Sequence, residues 1–350
     1  MIRFPEESTV PEPILDVQDL SYSFKTYGGE VQAVRGVSFR VFPGEVVGIV
    51  GESGCGKSVS AQCALRLNPE PPGFRMGGRL LYKGQDVFGK SEREMRAMRG
   101  AEIGFVFQDP MTYLNPTMKV GAQVEEVFAG RPGISAKEAR RRATEMLRLV
   151  GISDVERRRE QYPHELSGGM KQRVMIAMAL VGGPSLVIAD EPTTSLDVTI
   201  EAQILELLDG LRKQLGTAIV IITHDLGVIA KMCDRVYVMY GGKVVESGPV
   251  EDIFYRTAHP YTSGLLGSIA RLETECRDEL KAIEGTPPDL FSPPPGCPFA
   301  ARCDYAMRIC NQRPAPEYDL GGGHSSSCWL RHEYAEAADL RFACIEEVAP

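Results

Sequence analysis

An eight-residue segment, Gly51-Glu52-Ser53-Gly54-Cys55-Gly56-Lys57-Ser58, restricts this chain more than any other. It fits the pattern G-x-x-x-x-G-K-[ST]. The residues before it, Val46-Val47-Gly48-Ile49-Val50, are an apolar run that predicts a buried strand, and a helix can begin near Lys57. Strand, glycine-rich turn and helix in that order let the backbone curl until several amide N–H groups face one point. The positive end of the helix adds to them. The segment therefore predicts a nucleotide-phosphate site. Gly51, Ser53, Gly54, Cys55 and Gly56 supply the loop, Lys57 reaches the β- and γ-phosphates, and Ser58 helps to hold Mg²⁺.

The rest of the chain has room for an α/β core around that loop. Residues 14–50 are rich in Val, Ile and Phe, with turn signals at Gly28-Gly29 and Pro43-Gly44, which predicts several strands ahead of the loop. The runs Ile103 to Phe107, Leu186 to Ala189 and Ala218 to Ile222 read as buried strands alternating with helices, hence a parallel sheet. From Asp109 to Gly183 the period is helical. There Ser135 and Glu138 form a capping box ahead of an apolar face of Ala139, Ala143, Met146, Leu147 and Val150. The basic run Arg140-Arg141-Arg142 beside that face reads as a solvated helix surface.

Later segments follow the same logic. Ile200, Ile204, Leu207, Leu208, Leu211 and Leu215 predict an amphipathic helix, and Val236 to Gly248 a hairpin around Gly241-Gly242, with the compact core ending near Ser247. Residues 287–298 are Pro-rich and must be extended.

Composition excludes some classes. The chain has 350 residues, 43% hydrophobic and 25% charged, as in an ordinary water-facing protein. No run approaches the roughly 18 to 20 apolar residues of a membrane-spanning helix. Met1 to Pro13 is acidic and lacks the basic start and apolar stretch of a signal peptide, so a cytoplasmic location is expected. A net charge of −8 argues against a general nucleic-acid binder. Nine cysteines in such a compartment are not expected to pair as disulfides.

Two further stretches bear on the phosphate loop. Leu186-Val187-Ile188-Ala189-Asp190-Glu191 is an apolar strand ending in two carboxylates. Asp190 is placed to bind the Mg²⁺ shell at the strand's C-terminal end, and Glu191 to polarise an attacking water. Leu166-Ser167-Gly168-Gly169-Met170-Lys171-Gln172-Arg173 opens a helix, with Ser167 as its cap and Gly168 and Gly169 leaving amides open to an anion.

Here the sequence resembles the ATP-binding-cassette (ABC) ATPases, whose signature is L-S-G-G-Q, with Met170 in place of the Gln. Further positions match in family order. Gln108 resembles the glutamine that contacts Mg²⁺ and water, Ser195-Leu196-Asp197 the D-loop, and His224 the switch histidine on the γ-phosphate. Phe24 sits where the family stacks an aromatic on adenine, with Tyr22 and Tyr27 as weaker candidates. The resemblance implies a P-loop ATPase core with an N-terminal antiparallel β subdomain and an inserted helical subdomain at about 109–183. It divides the chain into a tail (1–13), a cassette (14–250) and an extension (251–350). It implies Mg²⁺-dependent ATP hydrolysis in a head-to-tail dimer, where each ATP lies between one chain's phosphate loop and the partner's Ser167, Gly168, Gly169 and Asp197. Glu191 and His224 are then the catalytic pair.

Past Ser247, His259-Pro260-Tyr261-Thr262 and Cys297-Pro298-Phe299-Ala300-Ala301-Arg302-Cys303 resemble the C-terminal extension of oligopeptide and dipeptide importer ATPases. Cys310 and Cys328 complete a set of four. Spacings of five, six and seventeen intervening residues match neither a zinc ribbon nor a bacterial ferredoxin run. The resemblance favours a structural [4Fe–4S] cluster on these four, with Zn²⁺ or free or disulfide-paired thiols as alternatives. Cys55, Cys63, Cys233, Cys276 and Cys344 are expected to pack as small residues or lie exposed.

The importer resemblance implies a paralogous second ATPase subunit, two membrane permeases docked near Gln108 to Val120, an extracytoplasmic solute-binding protein and a seat on the cytoplasmic face of the membrane. Nickel or another small solute remains open as cargo, as does a non-transport role in iron–sulfur assembly. Repair and translation members of the family carry long coiled coils or two cassettes, features absent from this sequence.

Overall fold

A computed structural model of the protein describes residues 12–193, 197–268 and 283–335. Among the described residues, twelve strands form two sheets. The first is antiparallel, in the order β2-β1-β4-β5, from β1 (Leu15–Thr26), β2 (Gly29–Val41), β4 (Gly73–Tyr82) and β5 (Gln85–Asp86). The second has the order β11-β12-β10-β9-β3-β8-β7-β6. Its centre is parallel: β3 (Val46–Val50), β6 (Ile103–Val106), β7 (Leu186–Asp190), β8 (Ala218–Thr223) and β9 (Arg235–Tyr240). β10 (Lys243–Pro249), β11 (Tyr318–Gly321) and β12 (His324–Ser326) join antiparallel at one edge.

β3, β7 and β8 are buried at every position, which is why they read as unbroken apolar runs. The pleat divides their side chains between layers. Val47 and Ile49 of β3 face a core shared with the antiparallel sheet, whereas Val46 and Val50 face one shared with the C-terminal helices.

Helices α1 (Lys57–Gln62), α2 (Glu92–Met98), α8 (Val198–Leu215) and α9 (Leu226–Met232) flank the sheets. A helical block follows β6: α3 (Pro110–Tyr113), α4 (Val120–Glu126), α5 (Ala136–Leu149), α6 (Val155–Arg158) and α7 (Gly168–Leu180). The predicted apolar face of α5 is buried throughout. Ser135 caps α5 by accepting from the Glu138 N–H at 3.2 Å. The reciprocal half of the expected capping box gives way to charge, because the Glu138 carboxylate takes Arg141 and Arg142 instead. Arg140, Arg141 and Arg142 lie on the solvated face, as expected, each paired with a glutamate.

The sheet does not stop near Ser247. After α10 (Val250–Tyr255) and α11 (Pro260–Gly267), the chain returns through the irregular Pro-rich stretch and adds the β11–β12 hairpin to the β10 edge. Glu246 of β10 is wholly buried beneath that hairpin. It accepts from the N–H groups of Ala258 and His259 and lies 2.9 Å from His324 Nε2 on β12. The segment after β10 thus closes over a buried carboxyl group, and a polar group so buried must have such partners.

Candidate functional site

The phosphate loop hangs between strands of both sheets. Gly51 (φ 150°) passes so close to β9 that a Cβ there would stand 2.1 Å from the Met239 carbonyl oxygen. Gly56 (φ 95°) passes β2 in the same way, 2.3 Å from the Ala33 oxygen. Only glycine fits either place. Lys57 is buried, and its Nζ donates to the carbonyls of Gly51 at 2.7 Å and Glu52 at 2.9 Å. The ammonium thus already lies across the mouth of the loop it is expected to share with phosphate.

Strand order supplies the rest. β7 pairs with β8 and β8 with β3, so the C-terminal ends of all three converge. Ser58 Oγ donates to Asp190 Oδ1 at 2.9 Å. Burial pushes the Asp190 carboxyl up from its ordinary range; Glu191 adds to this, while the Ser58 hydrogen bond and Lys57 pull it back. The hydroxyl of Ser58, the carboxylate of Asp190 and the amide oxygen of Gln108 are hard oxygen donors of the kind Mg²⁺ takes.

Glu191 adopts φ 46°, a left-handed conformation uncommon for a residue with a side chain. Its N–H continues the ladder to the Ile222 carbonyl at 2.8 Å. The turn aims its carboxylate at two groups from neighbouring strand ends. Gln108 Nε2 donates to it at 2.7 Å, and His224 Nδ1 stands 3.5 Å away. Residues 83 positions apart in sequence thus meet around one carboxylate.

The candidate signature faces outward. Ser167 caps α7 by accepting from the Met170 N–H at 3.4 Å, and Ser167 and Gly168 are exposed. No heavy atom lies within 4 Å of the place where a Cβ on Gly168 would stand. Asp197, also exposed, caps α8 through the Ile200 N–H at 2.9 Å. Ser195 and Leu196 lie outside the described residues. Gln172 of α7 donates to the Pro192 carbonyl, a tie between the signature helix and the strand of Asp190 that the sequence did not reveal.

Phe24 is half-buried on β1, edge-on to Tyr22 at 5.3 Å. Tyr22 is buried and donates to Glu70, so it presents no open face, and Tyr27 is fully exposed. Cys55, Cys63 and Cys233 are buried small residues; Cys276 and Cys344 lie outside the described residues. Burial pushes the Cys55 thiol up against the opposing pull of Lys57.

The four extension cysteines line one apolar pocket, together with His259, Phe299 and Trp329. Burial pushes Cys303 up to about 11 and Cys328 to about 12, and it raises Cys297 as well. Backbone N–H groups oppose that trend: those of Phe299 and Ala300 at Cys297, of Tyr305 at Cys303 and of Leu330 at Cys328. Such amides favour a thiolate. Among the described residues, however, no three His, Cys, Asp or Glu side chains stand in a metal-holding arrangement. The sulfurs share a cavity wall rather than a common centre. The donor chemistry fits a soft metal; the spacing of the sulfurs is not that of a closed ligand set.

Comparison with known proteins decides the family. Residues 34–194 match the ABC transporter family, and residues 245–310 match the C-terminal region of oligopeptide/dipeptide transporters. The chain is 56% identical to the oligopeptide transport ATP-binding protein OppD of Bacillus subtilis (strain 168), over 91% of this chain and 89% of that protein. The chain belongs to the ABC ATPases of the oligopeptide/dipeptide transporter family. Within that family it is also 53% identical to the dipeptide transport ATP-binding protein DppD of the same organism, over 94% of this chain and 98% of that one. Among solved structures, the dimeric post-hydrolysis ATP-binding cassette MJ0796 bound to ADP and Pi is similar with a TM-score of 0.60 and 29% identity, covering 67% of this chain and 98% of that one. The expected P-loop ATPase fold, with its antiparallel subdomain and helical insertion, is therefore the fold of this family. Among the described residues no helix is long and apolar enough to cross a membrane.

Proposed function

We propose that this ABC ATPase binds and hydrolyses ATP to power uptake of oligopeptides or dipeptides, seated on the cytoplasmic face of the cell membrane. The observation that carries the reading is the half-site: Lys57, Ser58, Asp190, Glu191, Gln108 and His224 converge, while Ser167 and Gly168 face away from their own chain. A half-site of this kind calls for a second cassette, which we take to be a paralogous subunit in head-to-tail contact. Two permeases and an extracytoplasmic solute-binding protein complete the importer. The relatives do not favour nickel import or cluster assembly.

In this reading Phe24 receives adenine and the loop amides with Lys57 hold the phosphates. Bound Mg²⁺ would supply charge neutralisation at the β- and γ-oxygens, held by Ser58, Asp190 and Gln108. Glu191 orients and polarises the attacking water, and His224 holds the γ-phosphate side. The partner's Ser167, Gly168 and Gly169 close the site, with Asp197 beside them. We propose further that Cys297, Cys303, Cys310 and Cys328 would draw together from the pocket wall to hold a soft-metal centre, a [4Fe–4S] cluster in preference to Zn²⁺, as a structural group. Such a centre would give the apolar-poor extension something to fold around.

The test is to isolate the chain from its membrane under anaerobic conditions. Co-isolation with two permeases and a second ATPase, and ATP hydrolysis stimulated by peptide-loaded binding protein, is the expected result. A chain that hydrolyses ATP but never associates with permeases would overturn the importer reading. Iron, sulfide and zinc assays decide the pocket: stoichiometric zinc without iron would exclude the cluster.

A further inference from the structure

The extension reaches the phosphate loop through one side chain. Arg302 ends the short 3-10 turn Ala300–Arg302, which lies between Cys297 and Cys303. Its side chain is only 6% exposed. Nη1 donates to both carboxylate oxygens of Glu52, at 3.0 and 2.8 Å, and approaches the Tyr240 hydroxyl at 3.0 Å. Nε and Nη2 donate to the carbonyls of Glu284 and Ile283, at 2.8 and 3.0 Å. All three guanidinium nitrogens are thus engaged, and the planar fork has one place to point.

Glu52 is the second residue of the phosphate loop, and it is gripped on every side. Its N–H donates to the Tyr261 hydroxyl at 2.9 Å, and its carbonyl accepts from Lys57 Nζ at 2.9 Å. Tyr261 packs against Tyr240 and Phe299, with ring centres 4.5 and 5.3 Å apart, and Phe299 lines the cysteine pocket. A carboxylate beside a phosphate site repels the incoming anion unless a cation neutralises it, and Arg302 is the cation bound to it. The same ion pair holds the backbone that carries the Lys57 contact.

We infer that Arg302 is a positioning residue for ATP. It neutralises Glu52 and keeps the loop in its phosphate-receiving shape, and through the turn it shares with Cys297 and Cys303 it makes ATP affinity depend on the order of the cysteine pocket. The inference rests on the ATPase reading above, but not on which metal, if any, the cysteines hold.

The experiment uses the full-length chain, with binding of a fluorescent ATP analogue and the steady-state kcat and KM of the assembled complex. Arg302→Ala and Glu52→Gln should each change Kd and KM for ATP, Arg302→Ala raising both about tenfold with kcat within about twofold, the scale of one charge-assisted pair. Arg302→Lys should recover part of the loss, since it keeps the charge and loses the fork. The exchange Glu52→Arg with Arg302→Glu should bind ATP better than either single change. Cys303→Ala should raise KM in the native background and leave it unmoved in the Arg302→Ala background. If Arg302→Ala does not fold, Glu52→Gln and the exchange carry the test. Wild-type ATP affinity in both Arg302→Ala and Glu52→Gln, or an equal Cys303→Ala effect in both backgrounds, would overturn the inference. A native chain that binds no ATP would instead sink the ATPase reading.

Discussion

The proposed nucleotide cradle and the cysteine pocket each gather residues far apart in sequence, yet they are built differently. The cradle collects the ends of β3, β7 and β8, three parallel strands whose order alone brings Ser58, Asp190, Glu191 and His224 together. The pocket collects irregular segments: the turns around Cys297 and Cys303, the 3-10 turn of Cys310 and the segment of Cys328, laid against His259. One site inherits its geometry from a sheet. The other depends on side-chain packing and on backbone bonds such as Cys297 N–H to the Cys310 carbonyl at 2.7 Å. Changes in the cradle should therefore appear in kcat, and changes around the pocket in stability and, through Arg302, in ATP affinity, with kcat little moved.

The largest expected effect tests the first half of that contrast. Glu191→Gln removes the carboxylate that Gln108 and His224 address. It should lower kcat roughly 10²- to 10⁴-fold, the usual worth of a positioned base, while ATP still binds and the dimer stays closed. Phosphate release and size-exclusion chromatography with ATP are the measurements. Hydrolysis at the native rate would remove Glu191 from its assigned role.

The second half is tested beneath the β11–β12 hairpin. His324→Ala leaves Glu246 with only its two backbone donors in a wholly buried site. Stability in urea should fall by about 2–3 kcal/mol, with kcat per folded molecule little changed. A matching loss of kcat without a loss of stability would erase the contrast.

Acid should probe the same region more gently. Burial, helped by nearby Arg331, pushes His259 down from 6.5 to about 3. Its Nδ1 accepts from the Tyr261 N–H at 3.0 Å and caps α11, a role that a proton on Nδ1 would end. The folded state binds fewer protons than the unfolded chain between those values, so this contribution to stability is whole above about pH 6.5 and lost as pH falls towards about 3. His259→Asn keeps a capping oxygen and cannot titrate, so its melting temperature should fall less steeply over that range. Identical slopes for the two proteins would refute the assignment.

The smallest effect concerns Cys55. As a buried thiol raised above its ordinary range, it should react slowly with alkylating reagents, more slowly still with ATP bound; its alkylation should slow ATP turnover, and Cys55→Ser should resist that inactivation. Equal inactivation of Cys55→Ser would place the sensitive thiol elsewhere.

The same difference explains what could be read from the sequence. Gly51 to Ser58, Asp190-Glu191 and Ser167-Gly168-Gly169 are contiguous because the proposed sites are made of backbone amides and strand ends, and contiguous residues announce themselves. The parallel strands were legible because burial on both faces demands unbroken apolar runs. β11 and β12 were not, since Tyr-Asp-Leu-Gly and His-Ser-Ser show no alternation and pair only because β10 offers an edge. Arg302 and Tyr261 carry no sign of their roles in the sequence, because those roles depend on a partner, Glu52, some 250 positions away from Arg302. Gln172 gave no signal, since a glutamine on a helix is ordinarily a surface residue.

The late arrival of the β11–β12 hairpin has a consequence for synthesis. A ribosome delivers β10 long before Tyr318 to Ser326 emerge. Until then β10 lacks its pairing of Glu246 and Ser247 with Ser326 and Ser325, and the Ser327 N–H has yet to reach the Val245 carbonyl. An open strand edge is a template for any neighbouring chain. The nascent protein therefore passes through an interval in which the cassette is largely made but its sheet is unsealed. Translation that stalls in that interval leaves a sticky product, which makes the last segment of the sheet a seal against aggregation.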